Sequence, residues 1–213
     1  MVQVHSKPVT FDQFISWYTE NSEAHYELHN GVIVEMPKAT GDHSEVAGLL
    51  VAEFNFEIRR DQKSWLIPKE CIVKSENEMS GYEPDVIVLD RSALGREPRW
   101  KKESIITLGT TVRLAVEVVS TNWRDDYGYK LVDYEALLIP EYWIVDYLGL
   151  GGRRYIGNPK QPTLSVCQLV DGEYQIRQFR GSDRIESLAF PQLDLTAEQV
   201  NKFLPLTDKI LMY

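Results

Sequence analysis

Cysteine is scarce in this chain, and the two that occur, Cys71 and Cys167, fall in no Cys-x-x-Cys spacing. This argues for reduced core thiols over a disulfide framework or a thiolate zinc site. Histidine is sparse too: His5, His25, His29 and His43 are too scattered to suggest zinc. No apolar run approaches the ~18 residues of a membrane span. The opening residues lack a basic stretch followed by an apolar one, so a soluble, cytoplasmic protein with no membrane partner is expected. Positive charge is in deficit, with 23 Lys and Arg against 32 Asp and Glu, a net −9. That argues against coating nucleic acid by overall electrostatics and leaves room for a local basic groove. There is no internal repeat, heptad or low-complexity tract.

What is present is enough for one sizeable domain: 213 residues, 43% of them apolar. A core of about residues 10–150 is expected, followed by an antiparallel extension of about 151–213. Thr10 and Gln13 resemble a capping box before a helix over about 11–20. Tyr26–Leu28 and Val32–Met36 flank Asn30-Gly31 as a hairpin. A second helix is expected from Asp42, boxed by Glu45, to Arg59-Arg60, and strands around Ile67–Val73 and Asp85–Leu89. Residues 91–111 read as a loop with one helical turn, and Val112–Val119 as a central strand. That strand should place Arg113, Ala115, Glu117 and Val119 on one face. A helix from about Asp125 to Ile139 and a strand Glu141–Tyr147 then imply a parallel crossover. Arg153–Ile156, Leu164–Val170 and Glu173–Arg180 read as antiparallel strands, and Leu193–Leu204 as a closing helix. The fold class is α/β, a mixed sheet flanked by helices.

Two carboxylates stand out because apolar strands bury charge only at a cost: Asp85, opening Val86-Ile87-Val88-Leu89, and Glu117, within Leu114–Val119. Delivered by neighbouring strands they could meet, and oxygen-only ligation suits Mg²⁺ or Mn²⁺. Such a cation polarises a phosphoryl oxygen and lowers the pKa of an attacking water. Lys130, at ~100° per helical residue, borders the buried stripe of Tyr127, Leu131, Tyr134 and Leu138. It could reach over the strand end to orient water or stabilise phosphate charge, or it could snorkel to solvent. Asp85 could equally be a strand-entry carboxylate after a turn proline, and Glu117 a same-face partner of Arg113. The basic residues Arg96, Arg99, Lys101 and Lys102 around Trp100 could track a nucleic-acid backbone or form a solvated loop interrupted by Glu97 and Glu103.

Taken together, Tyr26-Glu27-Leu28-His29-Asn30-Gly31, His43 opening a helix, Pro84-Asp85, Glu117-Val118-Val119-Ser120, Lys130, Tyr134 and Pro140-Glu141-Tyr142-Trp143-Ile144-Val145-Asp146 resemble the Uma-two type of restriction-endonuclease-like proteins. That type lies within the PD-(D/E)xK nuclease superfamily, and the likeness spans about residues 10–180. The resemblance implies a restriction-endonuclease-like core and a metal-dependent endonuclease acting on DNA. It implies Asp85, Glu117 and the Val118 carbonyl as ligands to Mg²⁺ or Mn²⁺. The superfamily's usual lysine position is Val119 here, and the resemblance places the lysine at Lys130. Glu27 is a further candidate carboxylate, or else an outward-facing hairpin residue. His43 could contact the metal water or the phosphate, or be satisfied by a neighbouring carboxylate, while Glu45 reads as a capping residue. The alternative to an enzyme is a catalytically inactive nuclease-like module binding nucleic acid or a protein partner. By symmetry a homodimer, formed through exposed apolar residues of the C-terminal strands, is the expected assembly.

Overall fold

The computed structural model describes residues 2–3, 8–21 and 23–201. Along the chain run β1 (Val2–Gln3), α1 (Phe11–Glu20), β2 (Tyr26–His29), β3 (Val32–Glu35), α2 (Gly41–Arg60), β4 (Trp65–Leu66), β5 (Ile72–Lys74), β6 (Gly81–Tyr82), β7 (Val86–Asp90), α3 (Trp100–Glu103), β8 (Ile105–Ile106) and β9 (Val112–Val118). A π-helical turn, Asp125–Tyr129, leads into α4 (Lys130–Ala136). There follow β10 (Glu141–Asp146), α5 (Arg153–Ile156), β11 (Thr163–Val170), β12 (Glu173–Phe179) and α6 (Ala197–Asn201).

Two mixed sheets result, ordered β1-β3-β2-β6-β5-β8 and β12-β11-β10-β9-β7-β4. The second carries the predicted crossover: β9 and β10 are parallel, with Glu117 opposite Ile144. One face of this sheet buries Leu114, Val116, Trp143 and Val145 against Val46, Leu50 and Phe54 of α2. The other buries Ala115, Val119 and Ile144 against Tyr134 of α4 and Tyr82 of the first sheet. The face of β9 that carries Ala115 and Glu117 is therefore roofed by a helix and by the other sheet.

Local rules account for most boundaries. Thr10 and Gln13 exchange both capping hydrogen bonds, and Asn30 and Gly31 take φ of 49° and 80° at the β2–β3 turn. The α2 cap differs from expectation: Thr40 accepts from the His43 backbone N–H and Glu45 is exposed, so no Asp42–Glu45 box forms. The expected Ile67–Val73 strand is two short strands in different sheets, interrupted at Pro68, which has no N–H to donate. Arg153–Ile156 is a helical turn bracketed by Gly152 and Gly157. Gly157 has φ 86°, a conformation that stops a strand there. The last helix begins later than expected, capped by Thr196 and Gln199, and the expected residues 202–204 lie outside the described ones.

Candidate active site

Asp85 sits one residue before β7, where Val86 pairs with Val116 of β9, so it meets the end of β9 where Glu117 and Val118 lie. Its Oδ2 accepts the Val118 backbone N–H at 2.7 Å. Glu117 points into the roofed side and is buried, accepting the Tyr134 hydroxyl at 3.0 Å. The two carboxylates thus come together as adjacent strand ends. Arg113 is not Glu117's partner. A bulge opposite Val88 and Leu89 shifts the register at the start of β9, and Arg113 pairs with Asp90.

Lys130 does not snorkel. It is 2% exposed, with Nζ 3.0 Å from Glu117, 3.1 Å from Glu27 and 3.6 Å from Asp126. The cause is the π turn: the Lys130 N–H bonds the Asp125 carbonyl, five residues back. One residue more than an α turn is accommodated, so the ~100° step of a regular helix does not apply across this turn, and the expected stripe fails at Leu138, which is exposed. The same turn buries Asp125 and Asp126. Glu27 is buried as well, on the hairpin face that the π turn covers. It accepts the Glu83 N–H at 3.0 Å and lies 2.8 Å from His29 Nε2.

His43 joins from the first turn of α2. Its Nε2 lies 2.9 Å from the Val118 carbonyl and 3.4 Å from Asp85 Oδ2. A carbonyl only accepts, so Nε2 carries the proton. Two oxygens that the family resemblance implies as ligands, on Asp85 and Val118, therefore both lie beside His43 Nε2. The rim is open there: the side chains of His43 and Asp85 are 13% and 27% exposed, against 3% for Glu117.

The charges do not balance. Glu27, Asp85, Glu117, Asp125 and Asp126 face one lysine and two histidines. Burial, reinforced by Asp85, Asp126 and Glu27 and opposed by Lys130, pushes the Glu117 carboxyl well above its ordinary range. Burial likewise lifts Asp126 to about 7, against the pull of Lys130. For Glu27, burial is outweighed by Lys130 and His29, which hold it below the usual value. For His43, the hydrogen bond to Asp85 outweighs burial and raises its pKa. Surplus negative charge on hard oxygen donors, open at one rim, fits a divalent cation. Among the described residues no three His, Cys, Asp or Glu side chains group to enclose an ion.

Sequence reasoning missed Asp125, Asp126, His29 and the Tyr134 hydroxyl as members of this network. Asp126 and Lys130 stand four apart on one helix face, the available signal. Within the basic loop, Arg99 binds Asp12 and Glu103, and Trp100 packs against the core. Glu97 is buried, accepting from Thr107 and Leu108. Tyr142 and Trp143 are core aromatics. Glu141 has a structural task, accepting from Trp143, Ser187, Leu188 and Ala189.

No curated protein matches the chain. A crystal structure of a "putative nuclease belonging to DUF820" from Anabaena variabilis superposes with a TM-score of 0.71 at 17% identity, covering 93% of this chain and 100% of that one. At that identity the likeness shows the fold. The model of the Uma2 family, described as "Putative restriction endonuclease", matches residues 11–198. The chain is a member of the Uma2 family.

Proposed function

We propose that this protein is a metal-dependent endonuclease that hydrolyses phosphodiester bonds in DNA. The observation that carries the reading is the meeting of Asp85 and Glu117 at one strand end, with the Lys130 ammonium 3.0 Å from Glu117. Membership of a family described as "Putative restriction endonuclease" supports the reaction class. Asp85, Glu117 and the Val118 carbonyl would hold Mg²⁺ or Mn²⁺. The bound cation would polarise the phosphoryl oxygen and lower the pKa of the attacking water.

This chain's own residues do the rest. Asp85, anchored by the Val118 N–H, presents its carboxylate at the open rim where a phosphate can arrive. Lys130 holds a fixed positive charge behind Glu117, placed against charge developing on the scissile phosphate. Tyr134 fixes the Glu117 carboxylate through one oxygen and so orients the other. His43 donates its Nε2–H to the Val118 carbonyl beside Asp85 and so helps to position those two oxygens at the rim. Glu27 sets the position of Lys130 from the opposite side.

A second reading, a nuclease-like module without catalysis, draws on one observation: Lys130 is enclosed by three carboxylates, which a structural ion cluster also requires. Incubating assorted DNA substrates with Mg²⁺ or Mn²⁺ separates the two. Loss of cleavage in both Asp85→Ala and Glu117→Ala is expected for the enzyme. Activity surviving both substitutions would refute it.

A further inference from the structure

In an acidic chain, several arginines hold a carboxylate: Arg60 pairs with Glu57, Arg99 with Glu103, Arg113 with Asp90 and Arg177 with Glu186. One cluster does otherwise. The Arg124 guanidinium lies 4.5 Å from the Trp123 ring centroid, and Trp123 meets Tyr155 edge-on at 6.1 Å. Arg154 lies 4.7 Å from the Tyr155 ring. Arg153 stands beside it, and Arg124, Arg153 and Arg154 are all exposed. Among the described residues no carboxylate lies within ion-pair distance of these three.

The platform is built where two connections meet. Trp123 and Arg124 lie on the segment leaving the end of β9, and Tyr155 and Arg154 lie on α5, after β10. A Cβ on Gly152 would come within 2.9 Å of Trp123, so glycine at that position lets the two connections close. Stacking on a ring holds a guanidinium flat with its N–H edges turned outward, and that planar fork matches the oxygens of a phosphate. The stretch from Val118 to Trp123 can span no more than ~18 Å, so the platform lies within a few nucleotides of a phosphate at the candidate active site.

We propose that Arg124 and Arg154, seated on Trp123 and Tyr155, together with the neighbouring Arg153, grip the phosphodiester backbone of the DNA on one flank of that site. The inference rests on the nuclease reading for the identity of the polymer. The contacts would be to phosphates, giving position and affinity but no sequence information. A local cationic platform also reconciles a net charge of −9 with a polyanionic substrate, since binding depends on the phosphates locally neutralised.

The test is fluorescence anisotropy of the full chain on a short fluorescein-labelled DNA duplex in EDTA, across a salt series, with cleavage in Mg²⁺ measured alongside. The triple variant Arg124→Gln, Arg153→Gln, Arg154→Gln changes exposed side chains only, and circular dichroism checks its fold. Its binding should weaken by about 10- to 100-fold at low salt, and the slope of log K against log salt should fall by roughly 2–3. Arg177→Gln, whose guanidinium is engaged by Glu186, should leave both unchanged. Absence of DNA binding by the wild type, an unaltered slope in the triple variant, or an equal loss in Arg177→Gln would overturn the proposal. Wild type that binds as described but cuts nothing would leave the platform standing and remove the nuclease reading. Cleavage by wild type with an unaltered slope in the variant would do the reverse.

Discussion

Replacing Lys130 with methionine removes the one ammonium at the centre of the acidic cluster while keeping most of the side chain's volume. Nζ lies 3.0–3.6 Å from three buried carboxylates. Removing one partner from a buried ion pair costs about 3–5 kcal/mol, and three neighbours place this change near the top of that range at pH 8. The cost should depend on pH. Glu117 and Asp126 already have raised carboxyl pKa values, and without Lys130 they rise further. A carboxyl whose folded pKa is raised contributes stability that is complete below its unfolded value and lost as pH rises through the folded one. Near neutral pH the variant's native state would therefore hold more protons than the wild type's. Urea unfolding of both proteins should show a smaller penalty at pH 6 than at pH 8. A penalty independent of pH, or below about 1 kcal/mol at pH 8, would refute the assignment of Lys130 as the buried counter-charge.

Tyr134→Phe removes the hydroxyl that Glu117 accepts. A loss of about 1–2 kcal/mol in urea melts is expected, along with reduced cleavage from a less firmly held carboxylate. Glu141→Ala strands the three donors that tie the segment 187–189 to β10, and the Trp143 indole N–H as well. Stability should fall by about 3 kcal/mol or more, and hydrogen exchange should quicken at the Leu188 and Ala189 amides. Gly109→Ala would set a Cβ 1.8 Å from the Leu137 carbonyl oxygen. Because that oxygen belongs to the backbone, the melting temperature should drop by several degrees, by a loss of about 2 kcal/mol or more.

The parts of the site legible in the sequence were those that violate a local rule. Asp85 and Glu117 are charges in apolar strands, and the strand–helix–strand order places β9 beside β10 without further information. What was not legible depends on departures from regular period or on distant cover. Lys130 looked marginal because ~100° per residue assumes an α-helix throughout, and the π turn at Asp125–Tyr129 breaks that assumption. Arg113 seemed to share Glu117's face because strand alternation assumes no bulge. Glu27 looked free to face solvent, because nothing in the hairpin's own pattern announces that a helix far along the chain will close over it. The basic loop around Trp100 drew attention by composition alone, whereas Arg124, Arg153 and Arg154 come from two segments that only the fold brings together.

The most direct measurement is anomalous scattering from crystals soaked in Mn²⁺. The account predicts an ion about 2.0–2.2 Å from carboxylate oxygens of Asp85 and Glu117 and from the Val118 carbonyl, its shell completed by waters. No anomalous peak at that strand end, with His43 still bonded to Val118 and Lys130 to Glu117, would contradict it.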